Sequence, residues 1–287
     1  AIAPLPAGRG MFSSAIAPLL GGRLVARSLS SSREIFRGSR ANKVGLSSEL
    51  DKLLFNHHDM RLFGLGFLAE VSSVKSYVHA TASRLRYYTA MEARFDCAES
   101  GAITHVWPLF SAELRRSERL ANDLRAVGVD PAYALRSPAL DAYVTTIEKA
   151  SDDDLVGHLY TRYFADMFGG SMLGHPTKLA LGLPMECAAY GFAQHVRANR
   201  GEYIESVYAA INAAGETLTE EQRRAVVEES RRAFSHNAEL VKERSYAVLL
   251  PQAALGVVNL LTGYARHFLL PTQIIKQMAE RLLNRRL

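Results

Sequence analysis

The chain is poor in the residues that staple small folds or hold metals. Only two of its 287 residues are cysteine, Cys97 and Cys187. Two thiols cannot build a disulfide framework, and their separation is not metal-ligand spacing, so no metal site is expected and both thiols are assigned to the core. No Glu-x-x-His occurs anywhere in the chain, which removes the di-iron oxidases, whose bundles turn carboxylates and Glu-x-x-His pairs inward. No basic patch is interleaved with aromatics, so nucleic acid is not an expected partner. Strand-length alternation between hairpin turns is missing as well, which leaves an all-α fold of about seven to nine helices.

Acidic charge is missing from both ends. Residues 1–46 hold seven Lys or Arg against one Glu, and residues 266–287 hold five against one, whereas the middle has 22 basic and 27 acidic side chains. The chain divides into three regions on this basis. Residues 1–46, rich in Gly, Ser, Ala and Arg, form a basic, targeting-like arm with too little apolar surface to fold alone, so it is expected to lie on a partner. Residues 47–245 form one helical domain; a chain of this size with 48% hydrophobic content buries one sizeable core. Residues 246–287 form a hydrophobic and amphipathic C-terminal extension. No charge occurs over the 21 residues Ser245 to Ala265, about the length that crosses a bilayer's hydrocarbon core. Pro251, Gln252, Asn259 and Thr262 interrupt that stretch, so a membrane-inserted helix, a helix between subunits and a helix on its own domain all stay open. Residues 272–287, with Ile274, Ile275, Met278, Leu282 and Leu283 against Lys276, Arg281, Arg285 and Arg286, suit an interfacial helix near anionic lipid.

Helical spacing organises the rest of the chain. Ser47 and Ser48 are cap candidates for helices over 47–70, and residues 72–96 read as one long helix with Tyr77, Tyr88, Met91 and Phe95 on its apolar stripe. A helix is expected from about Ser111 to Val127 and another from Pro138 to Lys149. His175-Pro176 and Gly182-Leu183-Pro184 read as turns, which makes His175 a turn residue rather than a ligand. Residues 186–212 give one or two helices. Thr219 with Gln222 three residues later opens the last helix of the domain as a capping box.

The most informative stretch is residues 155–174. Asp152, Asp153 and Asp154 can cap its start, and Leu155, Leu159, Tyr163 and Phe164 recur at helical spacing until Gly169 and Gly170 break the pattern. A glycine pair there means a kink, a C-cap or a close approach of backbone to something flat.

His158, Tyr160, Thr161, Arg162, Tyr163, Asp166, Gly169 and Gly170 resemble the distal-helix pattern of the haem oxygenases. Thr219, Arg223, Val226, Glu228, Glu229, Ala233, Phe234 and Asn237 resemble the family's last helix, and Phe63, Phe67 and Glu92 match its first two, so the likeness spans roughly residues 47–245. The resemblance implies an all-α haem-oxygenase-like fold in which a kinked helix crosses one haem face and the Asp organises water for oxygen activation.

The family's ligand-bearing position falls on Phe55, and its cations for the haem propionates fall on Ser48, Ala209, Ala210 and Ile211. Phe168 adds bulk where the family has Ser. These departures lead to the expectation of a pseudoenzyme: a non-catalytic accessory subunit of a mitochondrial inner-membrane complex, respiratory chain or ATP synthase, with other subunits and anionic lipid as partners. Under that reading no catalytic residue, cofactor-binding residue or cofactor is expected. The alternative is an active haem oxygenase, in a mitochondrion or a plastid, that converts haem to biliverdin, carbon monoxide and iron with electrons from a reductase. Asp166, Gly169 and Gly170 are then the catalytic residues, and His58 replaces Phe55 as haem ligand.

Overall fold

A computed structural model of the chain describes residues 39–57, 59–133 and 135–269. Most of the basic arm and the 272–287 segment lie outside the described residues. Among those described there is no strand, so the fold is all-α as expected. Among the described residues the domain holds twelve α-helical segments where about seven to nine were expected, because several helices are interrupted, and a thirteenth follows it.

The first helix, α1 (Gly45–His57), is followed by α2 (Met60–Glu70) and the long α3 (Val74–Cys97). Asp59 caps α2 by accepting from Arg61 and Leu62 N–H, and Ser73 caps α3 by accepting from Ser76 N–H. Ser47 does not act as the expected cap. Its hydroxyl donates to the Ala41 carbonyl, while Asn212 takes its N–H. The visible end of the arm sits on the chain's own surface: Arg40 and Ala41 N–H donate to the Glu205 carboxylate at 3.0 and 2.7 Å.

The helix expected over 111–127 is two, α4 (Trp107–Leu114) and α5 (Ser117–Ala126). The break has a distant cause. Buried Glu92 on α3 accepts from the backbone N–H of Arg116 at 2.6 Å and of Ser117 at 3.2 Å, supplying from outside the cap that α5 lacks locally. Helix α6 (Pro138–Lys149) forms as expected, with a Ser137 cap.

The aspartate triplet does not cap the next helix. Asp152 pairs with Arg94 at 3.0 Å and Asp153 accepts from Ala102 N–H at 2.7 Å, so these two acids tie the loop around Gly101 to the domain. Then come α7 (Leu155–Leu159), a π-helical turn (Tyr160–Phe164), α8 (Ala165–Phe168) and a 3-10 turn (Gly170–Met172). His175-Pro176 falls in the first turn of α9 (Gly174–Leu181), which ends on Gly182 at φ +63°. Helices α10 (Gln194–Ala198) and α11 (Arg200–Glu216) lead to α12 (Glu220–Lys242), which has the expected capping box, and to α13 (Tyr246–Leu269).

The main core gathers apolar side chains from α1, α3–α7, α11 and α12, including Leu50, Met91, Leu124, Tyr143, Leu159, Ile211 and Val226, with Ile103 from the 3-10 turn Ala102–His105. A second cluster, with Leu68, Val71, Ala180, Ala253 and Leu260, joins α13 to α2 and α9. Cys187 is buried, but Cys97 is exposed at the end of α3, against the core expectation for both.

Candidate functional site

The kink in the distal helix begins before the glycine pair. The π-helical turn from Tyr160 to Phe164 widens the helix by one residue, a local distortion often found at functional sites. It turns consecutive motif residues toward different neighbours.

One face locks onto α12. His158, fully buried, has Nε2 2.9 Å from Glu229 Oε1. Thr161 and Ser230 hydroxyls lie 2.9 Å apart, and Arg162 donates to Asn237 Oδ1 at 2.6 Å. Gly157 makes this crossing possible, since a Cβ there would sit 2.7 Å from the Val226 carbonyl and 2.8 Å from Ser230 N. Burial pushes the Glu229 carboxyl up, but the His158 hydrogen bond and the nearby cations outweigh it and leave it below the usual carboxylate range. Arg162 also donates to the Tyr87 hydroxyl and lies over that ring at 4.3 Å; burial lowers its guanidinium to about 10.

The other face builds a polar cluster around Asp166. The Tyr88 hydroxyl donates to Asp166 Oδ2, and burial, followed by the Asp166 charge, raises Tyr88 far above the ordinary tyrosine range, so it stays a donor. Arg116 Nε lies 3.7 Å from the same oxygen, with its guanidinium 4.0 Å from the Phe192 ring centroid. Arg116 is 1% exposed, yet Nε and Nη2 have no hydrogen-bond partner. Buried donors without partners are costly and point to a polar ligand atom or water beside the carboxylate. One turn earlier, Tyr163 donates to Glu92 at 3.2 Å.

The glycine pair adjoins this cluster. A Cβ on Gly169 would meet only the Ala165 carbonyl, at 3.5 Å, whereas one on Gly170 would stand 3.0 Å from Asp166 Oδ1. The backbone at 169 is therefore open to a flat ligand, and Gly170 keeps the second Asp166 oxygen uncovered. Arg200, from the start of α11, donates to the Met167 and Phe168 carbonyls and fixes the end of α8.

Asp166, Gly169 and Gly170 thus come together in one place. His58 lies outside the described residues, as do the side chains of Phe55 and His57. Ser48 is half-buried on α1, Ala209 is exposed and Ile211 buried on α11, so no cation stands at those positions. Tyr88, Arg116 and Arg200 are parts of the site that sequence reasoning missed. A second omission is Asp51 on α1, 6% exposed, which accepts from the hydroxyls of Tyr160 and Tyr208. Burial raises its carboxyl to about 6, against the lowering effects of the two hydroxyls and Lys43. The sequence signal for it was a lone acid between Leu50 and Leu53.

The sequence model of the family described as Heme oxygenase matches residues 52–243. The chain is 32% identical over 127 residues to a heme oxygenase of Guillardia theta, covering 42% of this chain and 53% of that protein. It is 30% identical over 169 residues to heme oxygenase 1 of Pongo abelii, covering 56% and 57%. It therefore spans about half the length of these curated relatives. Its fold is similar to that of heme oxygenase-1 from the cyanobacterium Synechocystis, solved in complex with heme, with a TM-score of 0.60 at 24% identity over 75% of this chain and 99% of that one. These likenesses correct the expectation of a non-catalytic accessory subunit of a respiratory or ATP-synthase complex, since the relatives are named as haem oxygenases. The expectation of no cofactor is likewise unsupported. Both expectations weighed Phe55, the missing cations on α1 and α11 and the bulk of Phe168 above Asp166, Gly169 and Gly170, which stand together.

Proposed function

Because the chain belongs to the haem oxygenase family, we propose that it takes haem as substrate and opens the ring oxidatively, releasing biliverdin, carbon monoxide and iron. The observation that carries this reading is Asp166, held by Tyr88 and Arg116 beside the open backbone of Gly169 and Gly170. Haem bound there would supply redox chemistry toward dioxygen, with electrons from an external reductase. Gly169 admits the flat ring. Asp166 Oδ1 and the unpartnered Arg116 donors would orient water at the oxygen side, and a proton would move between that water and the Asp166 carboxylate while Arg116 stays a donor. Tyr88 keeps Asp166 in register from behind. His58 would hold the haem iron. The Arg- and Ser-rich arm supports delivery to an organelle, mitochondrion or plastid.

Titrating the full chain with haemin should give a Soret band saturating at one equivalent, and adding a reductant in air should replace it with biliverdin absorption and carbon monoxide. Asp166→Asn should keep the Soret band and lower the biliverdin yield by about 10-fold or more. His58→Ala should change the haem spectrum. No Soret band at stoichiometric haemin would overturn the reading.

A further inference from the structure

The C-terminal helix α13 has two unlike faces. One is seated on the domain. A Cβ at Gly256 would collide with the Leu68 carbonyl and one at Gly263 with the Leu179 carbonyl, so the helix touches the backbone of α2 and of α9 at two points seven residues apart. Between them, Asn259 donates its amide to the Val71 and Ser72 carbonyls at 3.0 and 2.8 Å, capping the end of α2. Leu249, Ala253 and Leu260 are buried along the same line.

The opposite face is apolar and exposed for the whole helix. Leu250, Leu255, Val258 and Leu261 are 51, 49, 53 and 42% exposed. Ala247, Ala254 and Ala265 are exposed among them. Thr262, the hydroxyl on that face, satisfies itself by donating to the Val258 carbonyl at 2.9 Å. At 1.5 Å per residue the strip is about 27 Å long. Soluble monomers rarely leave such a strip to water. Charge resumes only where it ends, at Arg266, and the sequence then carries Lys276, Arg281, Arg285 and Arg286 against Glu280.

We propose that α13 lies in the plane of an anionic bilayer, with the Leu250–Leu255–Val258–Leu261 face in the acyl layer of one leaflet and its other face still on the domain. The length and hydropathy of Tyr246–Phe268 alone would equally allow a span. The seats at Gly256 and Gly263 decide against it, because the helix cannot cross a bilayer while seated on the domain and would have to leave α2 and α9. The basic residues beyond Arg266 match anionic headgroups, and no charge lines the strip to give a protein partner specificity.

The test uses the full chain, sedimented with vesicles of phosphatidylcholine alone or mixed with phosphatidylglycerol. Binding is expected on the anionic vesicles and is weakened by salt. Val258→Glu with Leu261→Glu should reduce partitioning by about 10-fold or more while leaving the melting temperature unchanged, since both residues face away from the core. Depth is read with a fluorophore on Leu250→Cys, Val258→Cys or Ala265→Cys in a Cys97→Ser background. Buried Cys187, its thiol pushed up to about 12, stays unlabelled. Equal quenching of all three sites by a shallow lipid quencher supports the in-plane helix. A deep Val258 site between two shallow ends would establish a span and overturn it. Absence of vesicle binding would overturn it too, whether or not the same variants abolish self-association, which would make a second copy the occupant.

Discussion

The two halves of the distal stretch are built to opposite specifications. From Leu155 to Phe164 every residue but Arg162 is buried, and His158, Thr161 and Arg162 each hold a partner on α12. From Ala165 to Leu173 only Met167 is buried, and two glycines replace side chains. The first half is a fixed beam, and the second is a surface kept free by that beam. A site that must hold a carboxylate within a fraction of an ångström needs this division, because precision at Asp166 comes from packing ten residues upstream.

Four measurements can break or sharpen the contrast. Gly157→Val should be the most damaging, since backbone atoms of α12 leave its side chain no room. A loss of about 3 kcal/mol in denaturant-monitored stability is expected, and an unchanged midpoint would mean the beam is not packed as described. Next is Asp51, which ties Tyr160 to α1. Its folded value of about 6 lies above the ordinary 3.8, so the folded state holds the proton more tightly. The contribution therefore favours folding at low pH and is lost as pH rises between those values, by up to about 3 kcal/mol over the window. Stability against pH should show that fall in the native chain and lack it in Asp51→Asn.

Thr161→Val keeps the shape and removes one hydroxyl from the Ser230 pair, for about 1 kcal/mol. Thermal denaturation that places the variant level with the parent would remove that rung from the beam. Gly169→Ala should change stability by less than about 0.5 kcal/mol, because its Cβ finds space, while weakening haemin affinity in a Soret titration. Equal damage from both glycines would abolish the distinction between the halves.

Much of this was legible in the residues. The Thr219–Gln222 capping box, the Pro138–Lys149 bounds of α6 and most of the span of α3 come from local chemistry, and the structure has them. Asp166, Gly169 and Gly170 were legible as a group because the motif places them within five residues. What could not be read was set by distant partners. The break between α4 and α5 depends on Glu92, 24 residues before Arg116. The π-helical turn answers to partners on α12, and no local propensity marks it. Asp152 and Asp153 had good capping chemistry but better partners at Arg94 and Ala102. For α13, length and hydropathy describe a helix suited to lipid without revealing that Gly256 and Gly263 seat it on protein.

That seating has a mechanical consequence. Helix α2 comes after α1 and the candidate ligand region, while α9 begins four residues after Gly170, so α13 is a clasp across the chain on either side of the site. Its two carbonyl seats, at Leu68 and Leu179, make α2, α9 and α13 a single opening unit whose amides should exchange with solvent together. A load taken up by the tail is delivered to α2 and α9 at once, so whatever holds α13 also sets how readily the segments flanking the site can part.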